Sequence, residues 1–239
     1  MTEAEFPDAF DLKLFTGGAL LGPKPTLSGL RDGVADVGLL ALTYFRSEMP
    51  YAQLVADLAL LGEDHYAMAG ATSEFVMLHC QPCKEEFAKN GMVALSGIST
   101  APYVLLTTKP IIDIADMQGV KLRTGGSVWD RWAVRLGAEP VNVPSSEMYD
   151  TMSHGVVTAA VQPIGALKGH SLIEVAKHLT ELPLGTYHSG SIFAVGPKFW
   201  ASLSPEQREQ FAKKIPEAVA QTEVYYETDD LDVLIENGG

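Results

Sequence analysis

Short apolar runs alternate along the chain with stretches whose apolar residues recur every three to four positions, the pattern of an α/β protein built from strand-helix-strand units. The predicted strands are Asp11 to Phe15, Val37 to Ala41, Val93 to Ile98, Tyr103 to Thr107, Val120 to Arg123, Glu139 to Val143, Val156 to Gln162 and Ser191 to Val195, with helices between most of them. One helix is predicted over Val128 to Leu136, with Gly137 closing it in a left-handed conformation. Pro144-Ser145-Ser146-Glu147 opens a shorter one through Met148, Met152 and His154, and Gly155 stops it. Lys168 to Leu182 sets Leu172, Ile173, Ala176 and Leu179 on one helical face, so a helix packed on a sheet is expected there. Ser204-Pro205-Glu206-Gln207 is a helix start with Ser as cap, Pro at the first position and Gln reaching back. The acidic helical region it opens runs through Val224-Tyr225-Tyr226 toward Leu231 and Leu234 and stops at Gly238-Gly239. No internal repeat or low-complexity linker interrupts this alternation.

The most informative position is the end of the fifth predicted strand. Gly119-Val120-Lys121-Leu122-Arg123 finishes on an arginine, and Thr124-Gly125-Gly126 then leads into a helix. The guanidinium is a permanent, planar cation that holds a carboxylate bidentately, and backbone N-H groups at a helix start favour the same charge. These residues are read either as an organic-anion site or as a surface arginine paired with a neighbouring acid. Composition narrows the partners. Seventeen Lys plus Arg against thirty Asp plus Glu give a formal charge of -13, which argues against broad nucleic-acid binding. A small anion stays possible, because exposed charges are screened beyond roughly 8 to 10 Å. The 46% hydrophobic content supports a substantial core. No uncharged apolar run reaches the roughly 18 residues of a membrane span. The acidic opening Met1-Thr2-Glu3-Ala4-Glu5 carries no export signal, as a mature protein would not.

Other chemistry-bearing residues read more plainly. His154 falls at a helix end, where a partial negative charge favours a cation, so it is expected to be structural rather than catalytic. His170, Glu174 and His178 follow at four-residue intervals, a spacing open to a metal but also ordinary for a solvated helix face. Cys80-Gln81-Pro82-Cys83 is the only cysteine pair. It interrupts an otherwise continuous segment from Ser73 to Asn90 instead of following a strand, so buried thiols or a local disulfide are expected in preference to redox catalysis. His79 lies beside it without a second cysteine pair to complete a zinc site. There is no nucleophile elbow, Walker sequence or dinucleotide fingerprint. His188 and Ser189 are adjacent and would point apart in a strand. Gly17-Gly18 and Gly22 supply turns, not a phosphate cradle.

Taken in order, these residues resemble the DctP-type solute receptors of tripartite ATP-independent periplasmic (TRAP) transporters. Gly33-Val34-Ala35-Asp36-Val37-Gly38 resembles the strand entry of that family, and Pro110 with Gly119 to Arg123 resembles its proline followed by the strand ending in a ligand arginine. Leu136-Gly137-Ala138-Glu139-Pro140-Val141, Pro144 to Tyr149, Gly155-Val156-Val157, Glu174 to Lys177 and Phe199-Trp200 with Leu203 to Glu206 continue it to about Asn237. The resemblance implies a two-lobe, periplasmic-binding-protein-like α/β fold with hinge-linked doubly wound sheets, partly incomplete here. Lobe I would take residues 1–105 and 187–222, and lobe II residues 106–186 and 223–239. It further implies a binding protein, not an enzyme, in the periplasm. A small organic acid would be its ligand and TRAP membrane subunits its partners, without cofactor, metal, nucleic acid or membrane insertion of its own. Arg123 would bind the carboxylate, Gln162 would present a polar side chain to the ligand, and Tyr44, Tyr103 and Trp129 would form walls.

The chain also departs from the family pattern. Thr158-Ala159-Ala160-Val161 replaces a usual aspartate-glycine-x-glutamate, Gly196 replaces a common asparagine, and Ser99 to Tyr103 offers no second basic residue. One arginine with neutral donors favours a monocarboxylate over a dicarboxylate. The opening strand and helix before Phe10 and a closing segment after Gly239 are absent relative to the family. The expectation is therefore a fragment of doubtful stability alone, or a first strand supplied by another segment. A thiol redox protein or enzyme using Cys80 and Cys83, or an acid-sensing receptor domain, stands as the alternative.

Overall fold

A computed structural model describes residues 13–182, 184–189 and 191–236. The first part of the chain runs α1 (Thr26–Asp32), β1 (Val37–Leu40), α2 (Pro50–Ala56), α3 (His65–Glu74), α4 (Gln81–Lys89) and β2 (Ile98–Ser99). Leu30, Leu40, Leu42, Met49, Val76 and Phe87 form its core, all nearly or fully excluded from solvent. Of the early predicted strands only Val37 to Ala41 forms nearly as expected. Lys13 to Phe15 belongs to no strand, and Asp11 and Leu12 lie outside the described residues. Val93 to Ile98 is reduced to one bridge from Val93 to Val195 and the start of β2, because this stretch follows the core surface without a continuous partner.

The middle of the chain builds the larger sheet from β3 (Val104–Thr107), β4 (Lys121–Thr124), α5 (Ser127–Arg135), β5 (Glu139–Asn142), α6 (Met148–Ser153), β6 (Ala159–Gln162), α7 (Ala166–Gly169) and β7 (His178–Thr180). Its strand order is β5-β4-β6-β3-β7. The helical crossovers make β5 and β6 parallel to β4, whereas β3 runs antiparallel to both β6 and β7, so the sheet is mixed and not wholly parallel. Alternation places Leu105, Ala159 and Val161 on one face with Leu122 and Trp129, and Val104, Leu106 and Ala160 on the other with Met148 and Leu172. α5 ends where expected. Gly137 has φ of 81° there, a conformation that a side chain would strain.

The helix expected over Lys168 to Leu182 does not form. α7 stops at Gly169, a short 3-10 turn covers Leu172–Glu174, and His178–Thr180 joins the sheet as β7. The free edge of β3 explains the change: Lys177 N-H donates to the Thr107 carbonyl, and Leu179 pairs opposite Leu106. Leu172 and Ala176 still reach the core, so the apolar spacing was correct while its period was misread. His170, Glu174 and His178 therefore occupy three different elements instead of one helical row. Among the described residues, no three His, Cys, Asp or Glu side chains gather around a possible metal position.

The final part contains β8 (His188–Ser189), β9 (Ser191–Val195), α8 (Pro197–Ser202) and α9 (Pro205–Glu236). β9 pairs with β1 and β8 with β2, both antiparallel. At the start of α9, Ser204 and Gln207 exchange the two hydrogen bonds of a capping box. α9 continues for 32 residues through Pro216 and crosses between the two bodies. Phe211, Ile215 and Val219 pack beside Leu95 and Val195, and Val233 packs against the far face of the larger sheet. Between those contacts, buried Glu223 accepts from Ser99 N-H at 3.2 Å and meets His65 Nδ1 at 2.8 Å. No helix among the described residues is long and apolar enough to cross a membrane.

Cys80 and Cys83 form a disulfide inside the first core. A π turn over Phe75–His79 ends α3, and Cys80 then caps α4 by accepting the Cys83 N-H at its sulfur. The pair thus opens a helix after all, although it follows a helical turn and not a strand. A four-residue closed loop is worth about 2 kcal/mol by chain entropy. The double change Cys80→Ser with Cys83→Ser is expected to lower the melting temperature by about 4 to 8 °C, at about 2 to 4 °C per kcal/mol. Thiol titration of the native parent should find no reactive sulfur, and a fast-reacting thiol would refute the structural role.

Candidate functional site

A cavity of about 390 Å³ lies where the C-terminal ends of β4 and β6 face the Ala41 to Tyr44 turn and α9. All five side chains singled out from the sequence, Arg123, Gln162, Tyr44, Tyr103 and Trp129, line it. They come from separate elements. β4 delivers Arg123, β6 delivers Gln162, α5 delivers Trp129, and Tyr44 and Tyr103 arrive from the chain beside β1 and before β3.

Arg123 is only 4% exposed, yet no carboxylate pairs with it among the described residues. Its Nε donates to the Val143 carbonyl at 2.8 Å, where the chain leaves β5, and one Nη donates to the Tyr44 hydroxyl at 3.1 Å. These bonds fix the guanidinium plane and leave further N-H donors facing the cavity. Burying an unpaired charge costs several kcal/mol, so this position is completed by an anion. The structure thus disposes of the alternative in which Arg123 pairs with an acid at the surface. The helix start adds less than its glycines suggest, because Asp130 occupies the first turn of α5 and accepts from Thr124.

Three contacts join the two bodies beside Arg123. Thr43 donates to the Gly125 carbonyl at 2.6 Å, Ser127 donates to Asp57 at 2.8 Å, and Tyr44 receives Arg123. Gly126 permits this approach, since a Cβ there would lie 1.9 Å from the Thr43 hydroxyl. Two polar groups remain without a protein partner. Gln162 is 7% exposed and its amide bonds to no described residue, and the buried Tyr187 hydroxyl likewise has none. Burial raises the Tyr103 and Tyr187 phenols well above their ordinary range, so both stay protonated and can donate. His170 also lines the cavity. Burial, assisted by the Arg123 charge, lowers its pKa and keeps it neutral at pH 7.

On the α9 side stand Asp229 and Asp230. Asp230 accepts from the Gly165 N-H beside α7, and burial, with a contribution from Asp229, raises its pKa from 3.8 to about 6. A raised folded-state pKa in an acid means that stability is present below the unfolded value and is lost as pH rises through about 6. Asp230→Asn should therefore remove part of the pH dependence between about 4 and 6. At pH 7 it should raise the melting temperature by about 2 to 4 °C, corresponding to about 1 kcal/mol after allowance for partial exposure. Melting curves across that range check this, and an unchanged slope would contradict it.

The remaining sequence candidates fall elsewhere. His154 is exposed and bonds the Asp150 carbonyl at the end of α6. The Ser189 hydroxyl donates to the Leu40 carbonyl, and His188 turns instead to Thr186 and Ser99. They form no nucleophile and base pair. Sequence reasoning missed Tyr187, His170 and the two α9 acids as cavity residues. Tyr187 sits in a glycine-rich run without periodicity, and α9 reaches the cavity only through tertiary packing.

The bacterial extracellular solute-binding protein family 7 model, DctP, matches residues 1–236. The chain belongs to this family. It is a family of solute-binding receptors and not an enzyme family. A solute-binding protein of Albidiferax ferrireducens is 28% identical over 179 residues, covering 75% of this chain and 52% of its own length. The 2,3-diketo-L-gulonate-binding periplasmic protein YiaO of Escherichia coli is 24% identical over 215 residues, covering 87% and 62%. The chain therefore spans between half and two thirds of these curated relatives. Among solved structures, a TRAP periplasmic solute-binding protein of Bordetella bronchiseptica with bound (R)- and (S)-mandelate superposes with a TM-score of 0.83. It shares 23% identity, with 99% of this chain and 75% of that one covered. The α/β two-lobe fold is that of the TRAP solute-binding proteins.

Proposed function

We propose that the chain captures a small organic acid outside the cytoplasm, in the periplasm, and hands it to the membrane subunits of a TRAP-type transporter. Arg123 holds the carboxylate, and Gln162 and Tyr44 orient it. Tyr103 and Trp129 wall the site. Lobes of residues 1–105 with 187–222 and 106–186 with 223–239 close around it, with α9 as a shared support. The observation that carries this reading is a buried guanidinium with no carboxylate partner and with donors turned into a cavity. Relatives bear it out in kind, since YiaO is named for a diketo sugar acid and the Bordetella protein holds mandelate. Binding without turnover fits the separation of His188 from the Ser189 hydroxyl and the burial of both sulfurs in a disulfide.

A thermal-shift panel of pyruvate, lactate, succinate, gluconate and benzoate tests it. An acid present at 100 times its Kd stabilises by about 2.7 kcal/mol, a rise of about 5 to 10 °C for a chain of this size. At least one member should produce that rise. A flat response to every acid would overturn the proposal.

A further inference from the structure

The cavity also distinguishes among acids, and this step rests on the reading just given. We infer that its preferred ligand is an aromatic monocarboxylate, with the carboxylate on Arg123 and the ring against the paired faces of Tyr103 and Trp129.

Charge sets the number of carboxylates. Arg123 is the one lysine or arginine among the described residues lining the cavity. His170 adds no charge at pH 7, being held neutral by burial and by the neighbouring guanidinium. Asp229 and Asp230 stand in the lining as well, so a second carboxylate would find no cation and would meet like charge. Two charges of one sign in a water-poor cleft repel strongly, which makes a dicarboxylate a poor occupant.

Shape sets the body of the ligand. The Tyr103 and Trp129 rings stack with centroids 5.2 Å apart and planes 15° from parallel. Trp132 backs Trp129 edge-on at 6.3 Å and 86°. Both stacked rings are more than nine-tenths buried, so the pair is fixed by packing before any ligand arrives. A planar ring gains from offset stacking on such a wall, whereas a flexible polyol needs many hydrogen-bond partners. The polar groups left over are few: the Gln162 amide and the Tyr187 hydroxyl are unpartnered within the described residues. They suit one substituent beside the carboxylate and not a chain of hydroxyls.

The test uses the whole chain and a series that shares one polar head: lactate, mandelate, hexahydromandelate, malate and phenylglycine, each titrated calorimetrically. Mandelate should bind at least tenfold tighter than lactate and severalfold tighter than hexahydromandelate, which matches its size without its planarity. Malate should bind more weakly than lactate, and phenylglycine more weakly than mandelate. Trp129→Leu should bring the mandelate-to-lactate ratio close to one, and mandelate should quench Trp129 emission in the parent. If the variant does not fold, the ratios on the parent chain still decide. Hexahydromandelate equal to mandelate would show that bulk and not aromaticity is selected, and malate above mandelate would show a dicarboxylate site. Either result overturns the inference while leaving acid capture standing. Phenylglycine above mandelate would make Asp229 and Asp230 an ammonium subsite and would overturn it too. No response to any member, with none to the broader acid panel, would instead remove the Arg123 reading beneath it.

Discussion

Arg123→Met is expected to abolish acid binding while leaving the unligated protein as stable as the parent or slightly more so. The two effects have opposite signs because the guanidinium is costly when the cavity is empty and needed when it is filled. Without ligand, a side chain 4% exposed carries a full charge that two neutral oxygens, the Val143 carbonyl and the Tyr44 hydroxyl, only partly compensate. Replacing such a charge by an apolar chain of similar volume is commonly neutral or stabilising. With ligand, losing one partner of a desolvated charge pair costs about 2 to 5 kcal/mol, a loss of roughly 30-fold to several thousandfold in affinity. Arg123→Lys keeps the charge and removes the fork, so it should lose at least about tenfold. Calorimetric titration with paired melting curves reads both quantities. A variant that melts far lower without ligand would mean that Arg123 is a structural residue.

Glu223→Ala should produce the largest loss of stability. Its carboxylate is the polar fastening between α9 and the first body, meeting His65 Nδ1 and Ser99 N-H in a place 2% exposed. Truncation leaves both groups buried without a partner, at a cost of about 3 to 5 kcal/mol. The melting temperature should then fall by about 10 °C or more. Acid affinity should fall with it, because α9 carries Tyr225, Tyr226 and the two acids to the cavity wall. Glu223→Gln preserves both hydrogen-bonding positions, with its amide turned toward His65, and should recover most of the loss. Equal damage from both substitutions would show that charge, and not the hydrogen-bond frame, holds the helix.

What was legible in the sequence was local. The run from Val120 through Gly137 states its own structure, since an apolar strand, two glycines, an amphipathic helix and a terminal glycine each carry a separate physical signal. The Ser204 to Gln207 cap is equally explicit. The misreadings came where a distant partner outweighed a local pattern. Leu172, Ile173, Ala176 and Leu179 have helical spacing, but the open edge of β3 captured His178–Thr180 as a strand. Pro82 and the cysteines looked like an interruption, yet the disulfide turns that interruption into the first turn of α4. The cavity follows the same rule. Arg123 could be recognised from its own surroundings, and Gln162, Tyr44, Tyr103 and Trp129 from the family pattern. Tyr187 and the α9 acids enter only because β8 and a 32-residue helix carry them there. No short window records that path.

The most direct test of the central claim is to remove the ligand's charge while leaving its shape. Pyruvate, lactate and mandelate would each be titrated against their primary amides on the parent chain. If Arg123 grips a carboxylate, every acid that binds should exceed its amide by at least about thirtyfold, the lower bound for losing a desolvated charge pair. An amide that binds as tightly as its acid would show that the buried guanidinium does not recognise the ligand's charge, and the account would fail.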